Sequence, residues 1–237
     1  DKPLPDSSQQ PFGFFAEDAF AIGKRLNVTL GGRFDIIRTE NDLTYKQYAP
    51  MDSTVLWNSS KDTDKSGSFV AGAVFRAAEG LDLKLTVARS FRAPTIEERY
   101  LYADLGGVLT VGNPAIDPEQ GTFAEAGVAA TAGSLRFNGQ AYVNSLSDMV
   151  TQAKGTFTDG REAWISTNAG KALLWGYEAG ADWAPSQSLI VSADATWSRG
   201  TDTKKNADLP FMPPPRGHVS VRWYAWKTFW VEPLATF

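Results

Sequence analysis

The chain has 237 residues, no cysteine and one histidine, and its 23 Lys and Arg against 27 Asp and Glu give a formal net charge of −4. This balance argues against a nucleic-acid-binding face, and the lack of thiols excludes disulfide frameworks, cysteine nucleophiles and cysteine-built metal sites. One histidine leaves little room for an acyl-transfer triad, and no stretch approaches the roughly 18–20 consecutive apolar residues of a membrane-spanning helix. We therefore expect no enzymatic activity, no cofactor and no resident metal.

The period along the chain is that of β-strands. Apolar side chains alternate with polar ones, as in Leu26, Val28 and Leu30, which are separated by Asn27 and Thr29. Each such run has one face free of charge and one face that carries charges, which is typical of a strand with two different surroundings. In chain order, the predicted strands cover about 12–22, 26–38, 68–77, 81–90, 121–131, 134–152, 163–184, 188–199, 217–225 and 228–237. The sequence therefore predicts an all-β fold.

The connections between these strands are alternately short and long. The short ones lie near 23–25, 77–80, 131–133, 185–187 and 225–227, and the long ones cover about 39–67, 91–120, 153–162 and 200–216. An up-and-down meander places all short turns at one end and all long loops at the other, as outer-membrane barrels do. Several strands are also long enough to cross a bilayer, which takes about 9–11 residues. The sequence thus predicts an antiparallel up-and-down transmembrane β-barrel rather than a soluble β-sandwich.

Four segments carry a family resemblance. They are SFRAPTIEERY at Ser90–Tyr100, GNPAIDPEQGTFAEAGV at Gly112–Val128, NAGKALLWGYEAGADW at Asn168–Trp183 and LPFMPPPRG at Leu209–Gly217. In this order and spacing they resemble the C-terminal half of the barrel of TonB-dependent outer-membrane receptors. The opening, FGFFAEDAFAIGKRLNVTLGGRFD, is similar to a mid-barrel hairpin of that family.

The resemblance implies a 22-stranded barrel closed by an N-terminal plug. Residues 1–237 would then be a partial β-barrel domain of about ten strands, without the plug and the closing strands. It also implies an outer-membrane location in a Gram-negative bacterium and contact with outer-membrane lipid. The expected function is the TonB-energised uptake of a scarce nutrient. TonB would act through the missing N-terminal part.

An anionic ferric siderophore or another metal chelate is the expected ligand. The resemblance disfavours haem, because haem receptors of this family carry a histidine between the FRAP and NP motifs, and the segment between Phe91–Pro94 and Asn113–Pro114 contains none. Copper is disfavoured because three Met and one His are few. Cations and aromatic residues in the long loops suit an anionic chelate. The candidate substrate-binding residues are Arg92, Arg99, Tyr100, Tyr102, Lys204 and Lys205. Residues expected on the charged, lumen- or plug-facing side are Arg33, Asp35, Glu125, Glu178 and Arg222.

Other functions remain open at this point. A passive porin or a small structural barrel would share the strand pattern but would conduct ions without a plug. An outer-membrane enzyme would need a nucleophile and base, or paired acids, in one cleft. A soluble all-β binding module would partition into buffer rather than membrane.

Overall fold

The computed structural model describes residues 4–46, 54–209 and 212–237. Pro210 and Phe211, which belong to the fourth motif of the sequence, lie outside the described residues. No helix in the described part of the chain is long and apolar enough to cross a membrane.

The structure is built almost entirely of strands, with one helix of a single turn, α1 (Ile96–Tyr100). In chain order the strands are β1 (Ser7–Ile22), β2 (Leu26–Asn41), β3 (Thr44–Tyr45), β4 (Val55–Trp57), β5 (Ser60–Ala78), β6 (Leu81–Arg92), β7 (Tyr102–Asp104), β8 (Leu109–Val111), β9 (Glu119–Ala132), β10 (Leu135–Thr156), β11 (Glu162–Ser186), β12 (Leu189–Asp202), β13 (Ala207–Asp208), β14 (Arg216–Trp226), β15 (Phe229–Val231) and β16 (Leu234–Thr236).

Most of these strands form one 14-stranded sheet. Its main path is β1-β2-β5-β6-β9-β10-β11-β12-β14-β15, and each strand on that path pairs with its neighbour in antiparallel fashion. The predicted all-β, up-and-down antiparallel wall is therefore confirmed. The small strand β8 joins the sheet by a parallel pairing with β11, and β3 pairs with β4 apart from the sheet.

Three tight turns between neighbouring wall strands carry a glycine in the left-handed region: Gly23, Gly80 and Gly133 have φ of 65°, 72° and 58°. The connections 42–59, 93–118, 157–161 and 203–215 are longer, and their described residues lie at the opposite end of the strands, called here the long-loop end. The predicted alternation of short and long connections is present.

Strand ends differ from the prediction where the hydropathy contrast disappears. β5 begins at Ser60 instead of residue 68, because its first residues pair with the upper part of β2 although both of their faces are polar. The predicted last strand, 228–237, is divided into β15 and β16 on either side of Glu232 and Pro233. Proline lacks an N–H for the ladder, which accounts for the interruption.

The two faces of the sheet differ in chemistry. Paired residues of antiparallel strands share a face, so the register assigns each side chain. One face carries exposed large apolar side chains, among them Phe14, Phe34, Leu85, Trp175 and Trp223. In a transmembrane barrel this face contacts lipid and the polar face lines the interior.

Five residues expected from the sequence on the interior side share the polar face by register: Arg33, Asp35, Glu125, Glu178 and Arg222. Of the adjacent acids in β1, Glu17 lies on the same face and Asp18 on the apolar one, opposite Leu30 and near the short turn.

The buried core lies at the long-loop end of the sheet. Its centre is Tyr102, Leu109, Val111 and Ala163. Leu56, Phe157 and Ile165 pack against it, and Trp57 stacks edge-on against Phe157 with ring centroids 6.3 Å apart. A single-layered wall has no second layer of its own, so the loops pack against the upper part of β11, which contributes Ala163 and Ile165 to this core.

Candidate ligand-binding loop layer

Near its start, loop 93–118 has a proline, which cannot continue the strand ladder, and this proline is followed by a helix N-cap. Pro94 is fully buried, and its carbonyl accepts a 3.0 Å hydrogen bond from the Gln9 side chain of β1. At the start of α1, the Thr95 hydroxyl accepts from the Glu98 N–H at 3.1 Å, and the Glu98 carboxylate accepts from the Thr95 N–H at 2.8 Å. This reciprocal capping box satisfies two donors that a helix start leaves free. The order Pro-Thr-x-x-Glu in the motif thus has a local structural cause.

Arg99 fastens α1 to the wall. Its side chain is 3% exposed, and its Nη2 donates to both carboxylate oxygens of Asp64 at 2.9 Å. The same nitrogen donates to the Ile116 carbonyl at 3.3 Å, and Nη1 lies 3.6 Å from Asp62. Arg99 therefore connects α1, the end of loop 93–118 and the upper part of β5.

Tyr100 is buried beside that ion pair. Its hydroxyl donates to Asp62 at 3.1 Å and lies 3.0 Å from the Ser60 hydroxyl, and its ring packs edge-on against Trp57. Burial raises the pKa of the Tyr100 hydroxyl above its ordinary value, with further contributions from Ser60 and Asp62 of opposite sign. The hydroxyl is thus held as a neutral donor.

Arg92, at the end of β6, lies between two carboxylates. It donates to Glu98 at 2.8 and 2.9 Å and to Glu119 at 2.7 Å. Burial acts to raise the pKa of Glu98, but hydrogen bonds from Arg92 and Thr95 outweigh it and hold that pKa below its ordinary value. Arg92 therefore joins both ends of loop 93–118.

The Gly-Asn-Pro segment rests on the backbone of α1. The Gly112 N–H donates to the Leu101 carbonyl at 2.8 Å, and the Asn113 N–H donates to the Glu98 carbonyl at 2.9 Å. A Cβ at Gly112 would lie 2.5 Å from the Arg99 carbonyl carbon, closer than any side chain tolerates. The first and second motifs of the sequence are thus parts of one packed unit, and glycine is required where they touch.

Asn168, the first residue of the third motif, joins that unit to β11. Its Nδ2 donates to the carbonyls of Asp117 and Asp148 at 2.9 and 2.7 Å, and its Oδ1 accepts from the Asp117 N–H at 2.7 Å. Three of the four motifs therefore meet in one layer above the wall.

A second network joins three loops through Arg161. It donates to the Tyr102 hydroxyl at 2.6 Å, to Asp104 at 2.5 Å and to Asp159 at 3.0 Å, and Lys46 donates to Asp159 at 3.0 Å. Hydrogen bonding from Arg161 lowers the pKa of Asp104, and the hydrogen bond to Asp159 raises the pKa of Lys46. Sequence reasoning missed Arg161, Asp104, Asp159 and Lys46, because nothing local distinguishes them from solvated loop charges.

Lys204 and Lys205 lie apart from both networks. They occupy the exposed turn between β12 and β13, where their backbone N–H groups donate to Asp202 at 2.9 and 3.0 Å. The Lys205 ammonium is 3.8 Å from the Asp202 carboxylate. The turn fixes the backbone and leaves the side chains in solvent.

The structure thus brings four of the six candidate ligand residues together and gives each a protein partner: Arg92, Arg99, Tyr100 and Tyr102. On the polar face of the wall, Arg33 pairs with Asp35 at 2.6 Å, Arg222 with Glu232 at 2.8 Å, and Gln140 donates to Glu178 at 3.2 Å. Contact of any of these with a ligand or a plug stays a prediction.

Comparison with known proteins agrees with this architecture. Among solved structures, the chain is similar to the copper transporter OprC, with a TM-score of 0.75 and 18% identity, covering 92% of this chain and 33% of that one. It is also similar to the ferric-catecholate import receptor Fiu from E. coli K12, with a TM-score of 0.70 and 16% identity over 97% of this chain and 34% of that one. The ferric yersiniabactin uptake receptor FyuA from Yersinia pestis is similar as well, with a TM-score of 0.68 and 15% identity, covering 97% of this chain and 34% of that one.

At these identities the likeness establishes the fold, and the chain spans about a third of the length of these relatives. No curated protein matches the sequence. The family model described as TonB dependent receptor-like, beta-barrel matches residues 2–235. The chain therefore belongs to the TonB-dependent receptor β-barrel family, a family of outer-membrane receptors and transporters.

Proposed function

We propose that this chain forms part of the wall and external loops of a Gram-negative outer-membrane receptor that imports a metal chelate, most specifically a ferric siderophore, with energy supplied through TonB. The observation that carries the proposal is the packed loop layer. Arg99, Arg92 and Asn168 hold loop 93–118 in one position over the wall. A passive pore needs no preorganised loop layer of this kind. Selective binding gains affinity from one, because the loops are already ordered and their conformational entropy is not lost when the ligand binds.

We infer the domain organisation from the share of each similar structure that this chain covers. Residues 1–237 would supply about ten strands of a 22-stranded barrel, and the plug, the TonB-contacting segment and the closing strands would belong to other parts of the polypeptide. The match to about a third of each relative supports this division.

The proposed ligand class follows from the chemistry of the exposed loops. The similar structures include a copper transporter and ferric chelate receptors, so they do not select between the metals. Direct copper binding favours thioether and imidazole ligands, and this chain holds three Met and one His. An anionic chelate instead needs cations that solvent and ligand can reach, and Lys204 and Lys205 are exposed, with the Lys205 ammonium 3.8 Å from the Asp202 carboxylate. We assign these two lysines to ligand contact, and Arg92, Arg99, Tyr100 and Tyr102 to holding the loop that surrounds it.

The test uses the full-length polypeptide purified from outer membranes. Binding of ferric enterobactin and of other ferric siderophores is followed by quenching of tryptophan fluorescence, for the parent and for the double variant K204Q/K205Q. The expected result is at least fivefold weaker binding of one anionic chelate. The control is K24Q/R25Q, which removes the same charge from a turn at the opposite end of the wall and should bind as the parent does.

A conductance measurement in planar bilayers separates the receptor from a passive porin. A plugged receptor conducts almost no current, and large steady conductance would refute the proposal. Equal siderophore binding by the parent and by K204Q/K205Q would refute the assignment of the two lysines while leaving the transport class intact.

A further inference from the structure

Near the long-loop end, the outward face of the wall carries two cations that have no acidic partner among the described residues. By register Arg38 of β2 lies outward beside Thr63, and Lys65 of β5 lies outward beside Ile36, so the two cations are diagonal neighbours on one face. Such neighbours have Cα atoms about 7–8 Å apart. Both side chains are exposed, and no ion pair among the described residues includes either of them.

No acid among the described residues neutralises this pair. The acid nearest to it in the register is Glu40, which lies two residues beyond Arg38 and binds Lys61 at 3.1 Å. Arg38 is directed over the ring of Phe12, with its guanidinium carbon 5.9 Å from the ring centroid. The aromatic ring thus supports a cation whose donors bind no acceptor among the described residues.

Below the cations lies an exposed apolar surface. Phe14 and Phe34 are paired across β1 and β2 and are 71% and 46% exposed, and Phe69 of β5 is 49% exposed on the same face. A surface of this kind suits acyl chains, whereas free cations above it suit phosphate. The two parts together match an amphiphile with a phosphorylated head.

The height of the cations agrees with a headgroup position. Arg38 lies 12 residues beyond the start of β2 at Leu26, and Lys65 lies 13 residues before the end of β5 at Ala78. With a strand rise of about 3.3 Å and a tilt of about 40°, both lie about 30 Å above the short turns, just beyond an apolar band of about 25 Å.

We propose that Arg38 and Lys65, above the surface formed by Phe12, Phe14, Phe34 and Phe69, bind the phosphorylated headgroup of an outer-leaflet lipid. The phosphate accepts hydrogen bonds from the guanidinium and the ammonium groups, and the acyl chains lie along the aromatic side chains. The site rests on the membrane orientation of the barrel and is independent of the imported ligand.

The test is native mass spectrometry of the full-length polypeptide in detergent, titrated with diphosphorylated lipid A and with its dephosphorylated counterpart. R38Q/K65Q should bind the diphosphorylated lipid at least tenfold more weakly, and the charge-retaining R38K/K65R should bind it as the parent does. K24Q/R25Q is the matched control at the other interface and should keep the parent affinity. The dephosphorylated lipid should bind weakly to all variants.

Three outcomes would overturn the proposal: equal affinity of R38Q/K65Q and the parent, equal weakening in K24Q/R25Q, or displacement of the lipid by millimolar inorganic phosphate. The single variants R38Q and K65Q, each expected to show an intermediate loss, keep the test valid if the double variant does not fold. Ferric siderophore binding, measured on the same samples, should be unchanged in R38Q/K65Q, which separates this test from that of transport.

Discussion

Replacing Arg99 by methionine should release loop 93–118 from the wall. The side chain is 3% exposed and Asp64 is 11% exposed, so the substitution leaves a nearly buried carboxylate without its partner. Removing one partner of a buried pair costs about 3–5 kcal/mol. Because the second carboxylate, Asp62, is 40% exposed and can regain water, we take the lower end, about 3 kcal/mol. At 1.4 kcal/mol per factor of ten, the open form of the loop becomes about a hundred times more populated.

Hydrogen exchange followed by mass spectrometry measures this opening in the full-length polypeptide. Amides of residues 96–104 should exchange about a hundredfold faster in R99M, while those in the middle of β10 should keep their protection. R76M is the matched control, because Arg76 is exposed and lies 3.5 Å from Asp82 in a similar wall strand; it should change nothing measurable. Unchanged protection over 96–104 would refute the anchoring argument, and equal loss over the whole chain would show that Arg99 supports the barrel rather than the loop.

Three further substitutions test the same layer. G112A should destabilise loop 93–118 by about 1–3 kcal/mol through overpacking, which hydrogen exchange measures. In the control G32A the added Cβ meets nothing within 4 Å, so this variant should not affect the loop. Equal effects of the two substitutions would contradict the contact between Gly112 and α1. N168A removes three hydrogen bonds and should raise protease cleavage in loop 93–118 several-fold, and an unchanged cleavage rate would contradict the clamp. Because Arg161 lowers the pKa of Asp104 below the usual 3.8, the contribution of this pair is present above that pH and lost as the pH falls through the depressed pKa. Acid titration of tryptophan fluorescence between pH 5 and 2 should show this transition in the parent and not in R161Q.

The wall could be predicted from the sequence because lipid on one side and a polar interior on the other impose a period of two. The contrast between an apolar and a polar face is lost where the strands extend beyond the apolar band. In Ser60–Gly67 both faces are polar, so nothing in the pattern marks this stretch as strand, although Asp62 and Asp64 pair with Thr39 and Ile37 in regular register. Pairing with β2 makes this stretch a strand, and the sequence of the stretch itself contains no sign of that pairing.

The candidate site could be predicted only as a set of residue types. Arg99 and Tyr100 were identifiable as a cation and an aromatic residue in a long loop, but their partners lie 35 and 38 residues earlier, in a stretch predicted as loop. The Arg161–Asp104 pair spans 57 residues. Such distant pairs decide whether a loop cation is free for a ligand or is occupied by a carboxylate.

This division between buried, paired cations and exposed ones bears on which loop can rearrange more easily. A movement of loop 93–118 as one body would break the Arg99–Asp64 ion pair and the two hydrogen bonds between Asn168 and Asp117 together. The turn that carries Lys204 and Lys205 is held by backbone bonds to a single carboxylate, Asp202, so its rearrangement costs less. We therefore expect loop 93–118 to be the fixed part of the loop layer, and we expect the turn that carries Lys204 and Lys205 to rearrange more readily.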